Sequence, residues 1–201
     1  RLNAVNGDMH HELAHICRDA DADGDVKVLV LTGEGRAFSA GGDFSPGQDT
    51  THKITLEDAR MIVDHLLEAH IPIISAVNGY AMGLGATVAL LCDITVACET
   101  ARIGDPHVKV GLVAGDGGAV IWPLLVGPNR AKEFLMRGTL LTGDRAEQIG
   151  LVNYAVPKAA VYDTAHKIAR ELAEGPSLAI RWTKLSVNKQ IRDQFNLIMD
   201  T

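Results

Sequence analysis

The run Ile71-Pro-Ile-Ile-Ser-Ala-Val-Asn-Gly-Tyr-Ala-Met-Gly-Leu-Gly85 decides the fold. Residues 71–78 are apolar and rich in β-branched side chains, and their number suits a strand buried on both faces. Residues 79–85 are a glycine-rich turn, and a short apolar helix is predicted over 86–91. The same order occurs upstream, where residues 26–32 (VKVLVLT) read as a strand and 33–43 (GEGRAFSAGGD) as a glycine-rich loop. A third strand is predicted over 94–98.

Helical spacing fills the intervals. Met9, Leu13, Ile16 and Cys17 predict an amphipathic helix over 8–20, with Asp8 as its N-cap. Residues 21–25 form a polar turn, and 46–56, low in apolar content, a surface loop. Ala59, Ile62, Val63, Leu66 and Leu67 predict a helix over 57–70 that stops before Pro72. Further helices are expected over 130–137, 144–149, 159–174 and 177–198. Asp144 with Glu147 resembles a capping box, and Gly175-Pro176 breaks the last two helices. Strands alternating with helices indicate an α/β protein, with no fixed repeat and no domain linker.

Composition narrows the function. The 201 residues are 47% hydrophobic and 22% charged, which is globular rather than disordered. Lys and Arg number 19 against 25 Asp and Glu, a net charge of −6, which argues against a nucleic-acid partner. No run approaches the roughly 18 apolar residues of a membrane span, so no membrane is expected. Cys17, Cys92 and Cys98 form no CxxC and read as reduced thiols of a cytoplasmic protein, with no zinc site.

A loop at a helix start can bind phosphate or stabilise a developing oxyanion, because the first N–H groups lack internal partners. The order Gly79-x-x-x-Gly83-x-Gly85 does not fit GxGxxG. Neither loop has the Walker form with its lysine, so phosphate cradling is disfavoured. Taken together, the strings are more specific. Arg1-Leu-Asn-Ala, Val28-Leu-Val-Leu-Thr-Gly33, Ala37-Phe-Ser-Ala-Gly-Gly-Asp43, Pro72-Ile-Ile-Ser-Ala-Val-Asn-Gly79-Tyr-Ala-Met-Gly83 and Cys92-Asp-Ile occur in order. Leu141-Thr-Gly-Asp144 and Ala146-x-x-x-Gly-Leu-Val152 continue the pattern. The chain closely resembles the enoyl-CoA hydratase/isomerase, or crotonase, superfamily over nearly its whole length.

The resemblance implies a crotonase-like spiral of ββα units over about 1–140 and a helical C-terminal region over about 141–201 that trimerises, all in one domain spanning 1–201. It implies an acyl-CoA thioester as substrate and a homotrimer or dimer of trimers as the assembly. No cofactor is expected beyond the coenzyme A of the substrate. By alignment, the backbone N–H groups of Gly42 and Leu84 form an oxyanion hole for the thioester enolate. Ser39, Ala40, Gly41, Gly42 and Asp43 lie where the family wraps the CoA. Against the family, Arg1 follows the place of a first hairpin and Thr201 precedes the last helices. The sequence is therefore expected to be part of a longer chain.

A hydratase of this family positions water with two glutamates, and here Thr87 and His107 stand at those places. A threonine can orient water but is far too weak a base to deprotonate it, whereas an imidazole titrates near neutral pH. Asp116, in Gly115-Asp-Gly-Gly118, supplies a carboxylate nine residues after His107. That spacing, with Trp122-Pro123 following, resembles the β-diketone hydrolase branch, although the histidine which that branch carries at the Leu84 position is absent. His107, Asp116 and Thr87 are the candidate catalytic residues. Hydration, isomerisation and C–C hydrolysis all stay open, as does binding of CoA esters without turnover.

The remaining candidates are weaker. His11 and His15 lie four apart on the first helix but no third ligand completes a metal set, so none is expected. His65 and His70 flank an apolar face, and Asp43 and Asp93 suit loop geometry. Arg181, Lys184, Lys189 and Arg192 gather on one side of the last helix, as a solvated face or one that meets CoA phosphates. Leu178, Trp182, Leu185, Ile191 and Phe195 form its apolar face, for the core or a trimer contact.

Overall fold

A computed structural model describes residues 2–43, 45 and 50–198. The first helix, α1 (Gly7–Ala22), is capped by Asn6 rather than Asp8: the Asn6 side chain accepts from the Met9 N–H at 3.0 Å. Asp8 lies in the first turn, where a negative charge suits the helix dipole, and accepts from the N–H of His52 at 2.8 Å. Of the loop expected over 46–56, residues 46–49 lie outside the described residues. Its end is already helical, because α2 (Leu56–Glu68) starts on a Thr55 cap. That helix stops short of the expected residue 70, since Ala69 turns extended and Asp21 captures the N–H groups of His70 and Ile71.

Two four-stranded sheets organise the chain. The first is parallel throughout and runs β1 (Leu29–Thr32), β3 (Ile73–Val77), β5 (Ile94–Cys98), β8 (Tyr154–Val156). The second sets β2 (Ala37–Ser39), β4 (Tyr80–Met82) and β6 (Arg102–Gly104) side by side in parallel, with β7 (Leu141–Thr142) antiparallel at the edge. The sequence reading placed β2 and β4 in loops and missed β6, β7 and β8. Strands of two or three residues are too short to show a period-2 pattern, and the ladder to a neighbour decides them.

The chain therefore winds as a spiral: one strand in the first sheet, one in the second, then a return helix. β1 and β2 lead to α2, and β3 and β4 lead to α3 (Leu84–Leu91). β5 and β6 lead through a 3₁₀ turn (His107–Val110) to α4 (Gly118–Val126) and α5 (Pro128–Arg137). The sequence reading missed α4, an apolar segment with Pro123 inside it and thus no amphipathic stripe to detect. The remaining helices are α6 (Gly143–Gln148), α7 (Val161–Glu174) and α8 (Ser177–Ile198). For α6 the cap is Thr142, not Asp144, and Glu147 accepts from the Ala155 N–H instead of closing a capping box.

Every residue of β3 is buried, as a central parallel strand requires. Its one polar side chain, Ser75, is satisfied by donating to the Ala89 carbonyl at 2.8 Å, which Thr95 also reaches at 2.9 Å. Trp122 and Phe195 are the largest fully buried side chains. The last helix departs from its sequence reading. Lys184 is buried, donating to Asp93 at 2.9 Å and to the Ile71 carbonyl at 2.8 Å, so it cannot belong to a basic outer face. On the supposed apolar face, Phe195 enters the core while Leu178 and Trp182 stay exposed. Among the described residues, no helix is long and apolar enough to cross a membrane.

Candidate active site

Most of the predicted site residues converge because they follow strands of the second sheet, and Asp116 joins them from the loop before α4. Residues 40–43 leave β2, residues 83–85 leave β4, and residues 105–107 leave β6. Register keeps the three exits together: Met82 faces Gly104 across the ladder, and the Gly83 N–H donates to the Gly104 carbonyl at 3.0 Å.

Gly41 has φ +86°, and a Cβ there would lie 2.6 Å from the Met82 carbonyl oxygen. Only glycine allows both the left-handed backbone and this approach. The first loop thus packs its backbone onto the second. Val5 bridges both sides of Gly42, donating to the Gly41 carbonyl and accepting from the Asp43 N–H. Neither Gly42 nor Leu84 has an acceptor for its N–H among the described residues, and Leu84 is the first residue of α3, where the dipole is positive. Ser39 is buried, with its hydroxyl donating to the Asn3 carbonyl and accepting from the Gly41 N–H, and the Ala40 N–H donates to the Leu2 carbonyl. These two hold the loop in shape. Asp43 accepts from the Ser45 N–H at 2.9 Å.

His107 lies against the second loop: a Cβ on Gly83, itself at φ +50°, would stand 3.2 Å from its Cε1. Its Nε2 faces Asp116 Oδ2 at 3.7 Å. Thr87 is fully buried and donates its hydroxyl to Asp116 Oδ1 at 3.0 Å. The expected trio is therefore one cluster, and Thr87 spends its hydroxyl on Asp116 rather than on a water. Asp116 also accepts from the Gly118 N–H at the start of α4.

The sequence reading missed Asp105, which is 2% exposed and accepts both the His107 N–H at 3.1 Å and its Nδ1 at 2.5 Å. The signal was there: an aspartate two residues ahead of a backbone N–H, with proline between, favours a turn closed by its own carboxylate. That hydrogen bond is the main reason the His107 imidazole holds its proton above the ordinary range; burial opposes it and the Asp116 charge adds to it. Burial pushes the Asp116 carboxyl up. The His107 charge pulls it down, Asp105 adds to the rise, and the Thr87 hydroxyl and Gly118 N–H oppose it.

Asp105, His107 and Asp116 offer donor atoms within 4.8 Å of one another, a set that could hold a cation and that sequence spacing did not reveal. The short bond between Asp105 and Nδ1 favours proton chemistry there instead. The other histidines lie elsewhere: the His11 ring stacks on His52 at 4.1 Å and lies 4.5 Å from His15, His65 meets the Ala14 carbonyl, and exposed His70 pairs with Asp21. Asp93 serves β3, accepting from the Ile73 N–H and from Lys184.

A family model described as "Enoyl-CoA hydratase/isomerase" matches residues 1–199. A short-chain-enoyl-CoA hydratase of Clostridium acetobutylicum is 32% identical over 195 residues, covering 94% of this chain and 74% of the relative. A 2,3-dehydroadipyl-CoA hydratase of Escherichia coli is 34% identical over 188 residues, covering 93% and 74%. Among solved structures, an enoyl-CoA hydratase/isomerase from Mycobacterium paratuberculosis superposes with a TM-score of 0.90 at 37% identity, covering 99% of this chain and 81% of that one. A monofunctional enoyl-CoA isomerase from M. smegmatis gives 0.82 at 28%, covering 96% and 84%.

Proposed function

We propose, because this chain belongs to the enoyl-CoA hydratase/isomerase family, that it hydrates a 2-enoyl-CoA thioester with Asp116 and His107 as its acid–base pair. The thioester oxygen would accept from the Gly42 and Leu84 N–H groups, which stabilise negative charge as it develops there. Asp116 takes a proton from water as the water oxygen bonds to C3. The C2=C3 electron pair moves into the thioester as an enolate. His107, holding a proton at Nε2, delivers it to C2 as the carbonyl re-forms, so one water is added across the double bond. Burial makes Asp116 a stronger base than an exposed aspartate, and the Asp105 bond favours the charged form of His107. No resident cofactor enters these steps.

The observation that carries this reading is the approach of His107 Nε2 to Asp116 Oδ2 beside Gly83, next to the proposed oxyanion donors. The test is turnover of a small panel, crotonyl-CoA and 3-oxoacyl-CoA included, with solvent deuterium followed into C2. Hydration and exchange that fall about 10²–10⁴-fold in both His107→Gln and Asp116→Asn support it. Undiminished rates in both variants overturn the assignment, and tight binding without exchange on any member favours a binding-only protein. Cleavage of a 3-oxoacyl-CoA would favour C–C hydrolysis, a second reading supported by the same pair.

For assembly we retain a homotrimer or dimer of trimers, which the exposed apolar side chains Val110, Leu112, Val113 and Met136 support. For location we retain the cytoplasm, in keeping with three buried free cysteines.

A further inference from the structure

We propose that Asp105 is a positioning residue that holds the His107 imidazole by Nδ1 and so reserves Nε2 for the reaction; this rests on the acid–base role given to His107 above. Asp105 comes directly after β6, a strand flanked by β4 and β7, so its backbone is fixed on both sides. One carboxylate oxygen, Oδ1, accepts both the backbone N–H and the Nδ1 of His107, which fixes the ring's place and rotation together. The other oxygen, Oδ2, is buried with no partner among the described residues, and a Cβ on Gly118 would lie 2.5 Å from it. Glycine at the start of α4 leaves just enough room for the carboxylate.

The consequence follows from imidazole chemistry. With Nδ1–H donated to a buried carboxylate, the neutral ring has its lone pair at Nε2, and the charged ring has an N–H there. Both forms therefore exchange protons only on the side that faces Asp116. An unpartnered buried carboxylate oxygen is costly unless a positive charge lies beside it, and His107 is the group placed to supply that charge. The titratable groups that face His107 are Asp105, from the end of β6, and Asp116, from the loop before α4; the turn before α3 brings Gly83.

The test combines ¹⁵N histidine NMR with the pH–rate profile for crotonyl-CoA, on the intact chain and on Asp105→Asn. In Asp105→Asn the His107 titration is expected to move to lower pH and the alkaline limb of the rate profile to move with it. The expected fall is about 10²–10⁴-fold in kcat with KM changed far less. Asp105→Glu should recover part of the titration shift. An unchanged His107 titration and tautomer in folded Asp105→Asn overturns the proposal. Should that variant not fold, the unmodified chain decides: neutral His107 protonated at Nδ1 supports the proposal, and protonation at Nε2 overturns it. Failure of the catalytic reading is a separate result, since it appears as full activity in His107→Gln whatever the NMR shows.

Discussion

The Thr87 hydroxyl donates to Asp116 Oδ1 at 3.0 Å, so a buried side chain of α3 holds a carboxylate delivered from the loop before α4. Thr87→Val removes the hydroxyl at nearly constant volume and leaves Asp116 one partner poorer. Because that hydrogen bond lowers the Asp116 pKa, its loss should raise it, moving the acid limb of the rate profile to higher pH. A hydrogen bond to a charged group contributes about 1.5–3 kcal/mol, and the stability loss in urea should fall in that range. Thr87→Ser should restore most of both. A profile unmoved by Thr87→Val would mean that the hydroxyl does not bear on the proton chemistry.

The loop that carries the proposed oxyanion donor Gly42 depends on Gly41, whose added methyl group would meet the Met82 carbonyl oxygen at 2.6 Å. Gly41→Ala combines that clash with a left-handed backbone, φ +86°. Misplacing one backbone donor should lower kcat by about 10²–10³-fold. Steady-state kinetics alongside circular dichroism would separate this from unfolding, and a folded, fully active Gly41→Ala would rule it out.

Protonation of His107 should appear in stability as well. Its folded-state pKa is raised, so the native protein binds this proton more tightly than the unfolded chain does. The stabilisation is fully present below the unfolded value of about 6.5 and is lost as pH rises through the folded value. The difference in Tm between the unsubstituted protein and His107→Gln should therefore shrink with rising pH across that window. A difference that is flat or grows would contradict the raised value.

Buried Lys184 and half-buried Asp93 form an ion pair that joins α8 to the start of β3 and the end of α3. Burial alone pushes the Asp93 carboxyl up, and Lys184 opposes that rise. Lys184→Met strands the charge and should cost about 3–5 kcal/mol in chemical denaturation. Adding Asp93→Asn should recover part of the loss, since the uncompensated charge goes with it. A loss that is simply additive would mean the two groups act independently.

The buried thiols should be unreactive. Burial pushes Cys17 up to about 11 and Cys92 well above the usual thiol range, so neither supplies much thiolate near neutral pH. Iodoacetamide at pH 8 should label the native protein far more slowly than the urea-unfolded chain. Rapid native labelling of Cys17 would show that α1 opens readily.

Much of the fold was legible because its longest elements carry strong patterns. The apolar run through β3, the strand β5 and the helix α8 were read with boundaries that nearly match. The short strands of the second sheet were not legible: Ala37–Ser39 and Tyr80–Met82 owe their conformation to pairing with each other. Site residues fared similarly. His107, Asp116 and Thr87 were found from their positions in recognisable strings, and the structure brings them together. Asp105 was passed over because the Asp-Pro-His string signals only the turn closed on the His107 N–H, and the second bond, to the imidazole Nδ1, depends on how the ring is turned in the fold. Lys184 was misread because helical periodicity gives a residue's angle around the axis and says nothing about which neighbour covers it.

The order β2, β4, β6 in the second sheet has an evolutionary corollary. Neighbouring strands lie about 4.8 Å apart, so the working groups emerge from adjacent rungs of a ladder, one rung per turn of the chain. Two rungs present the Gly42 and Leu84 N–H groups, proposed donors whose function would be indifferent to side-chain identity. The third presents Asp105 and His107. On the proposed function, mutation could rewrite the third rung without moving the donors on the other two, and such an architecture would let new proton chemistry arise while the polarised carbonyl keeps its place.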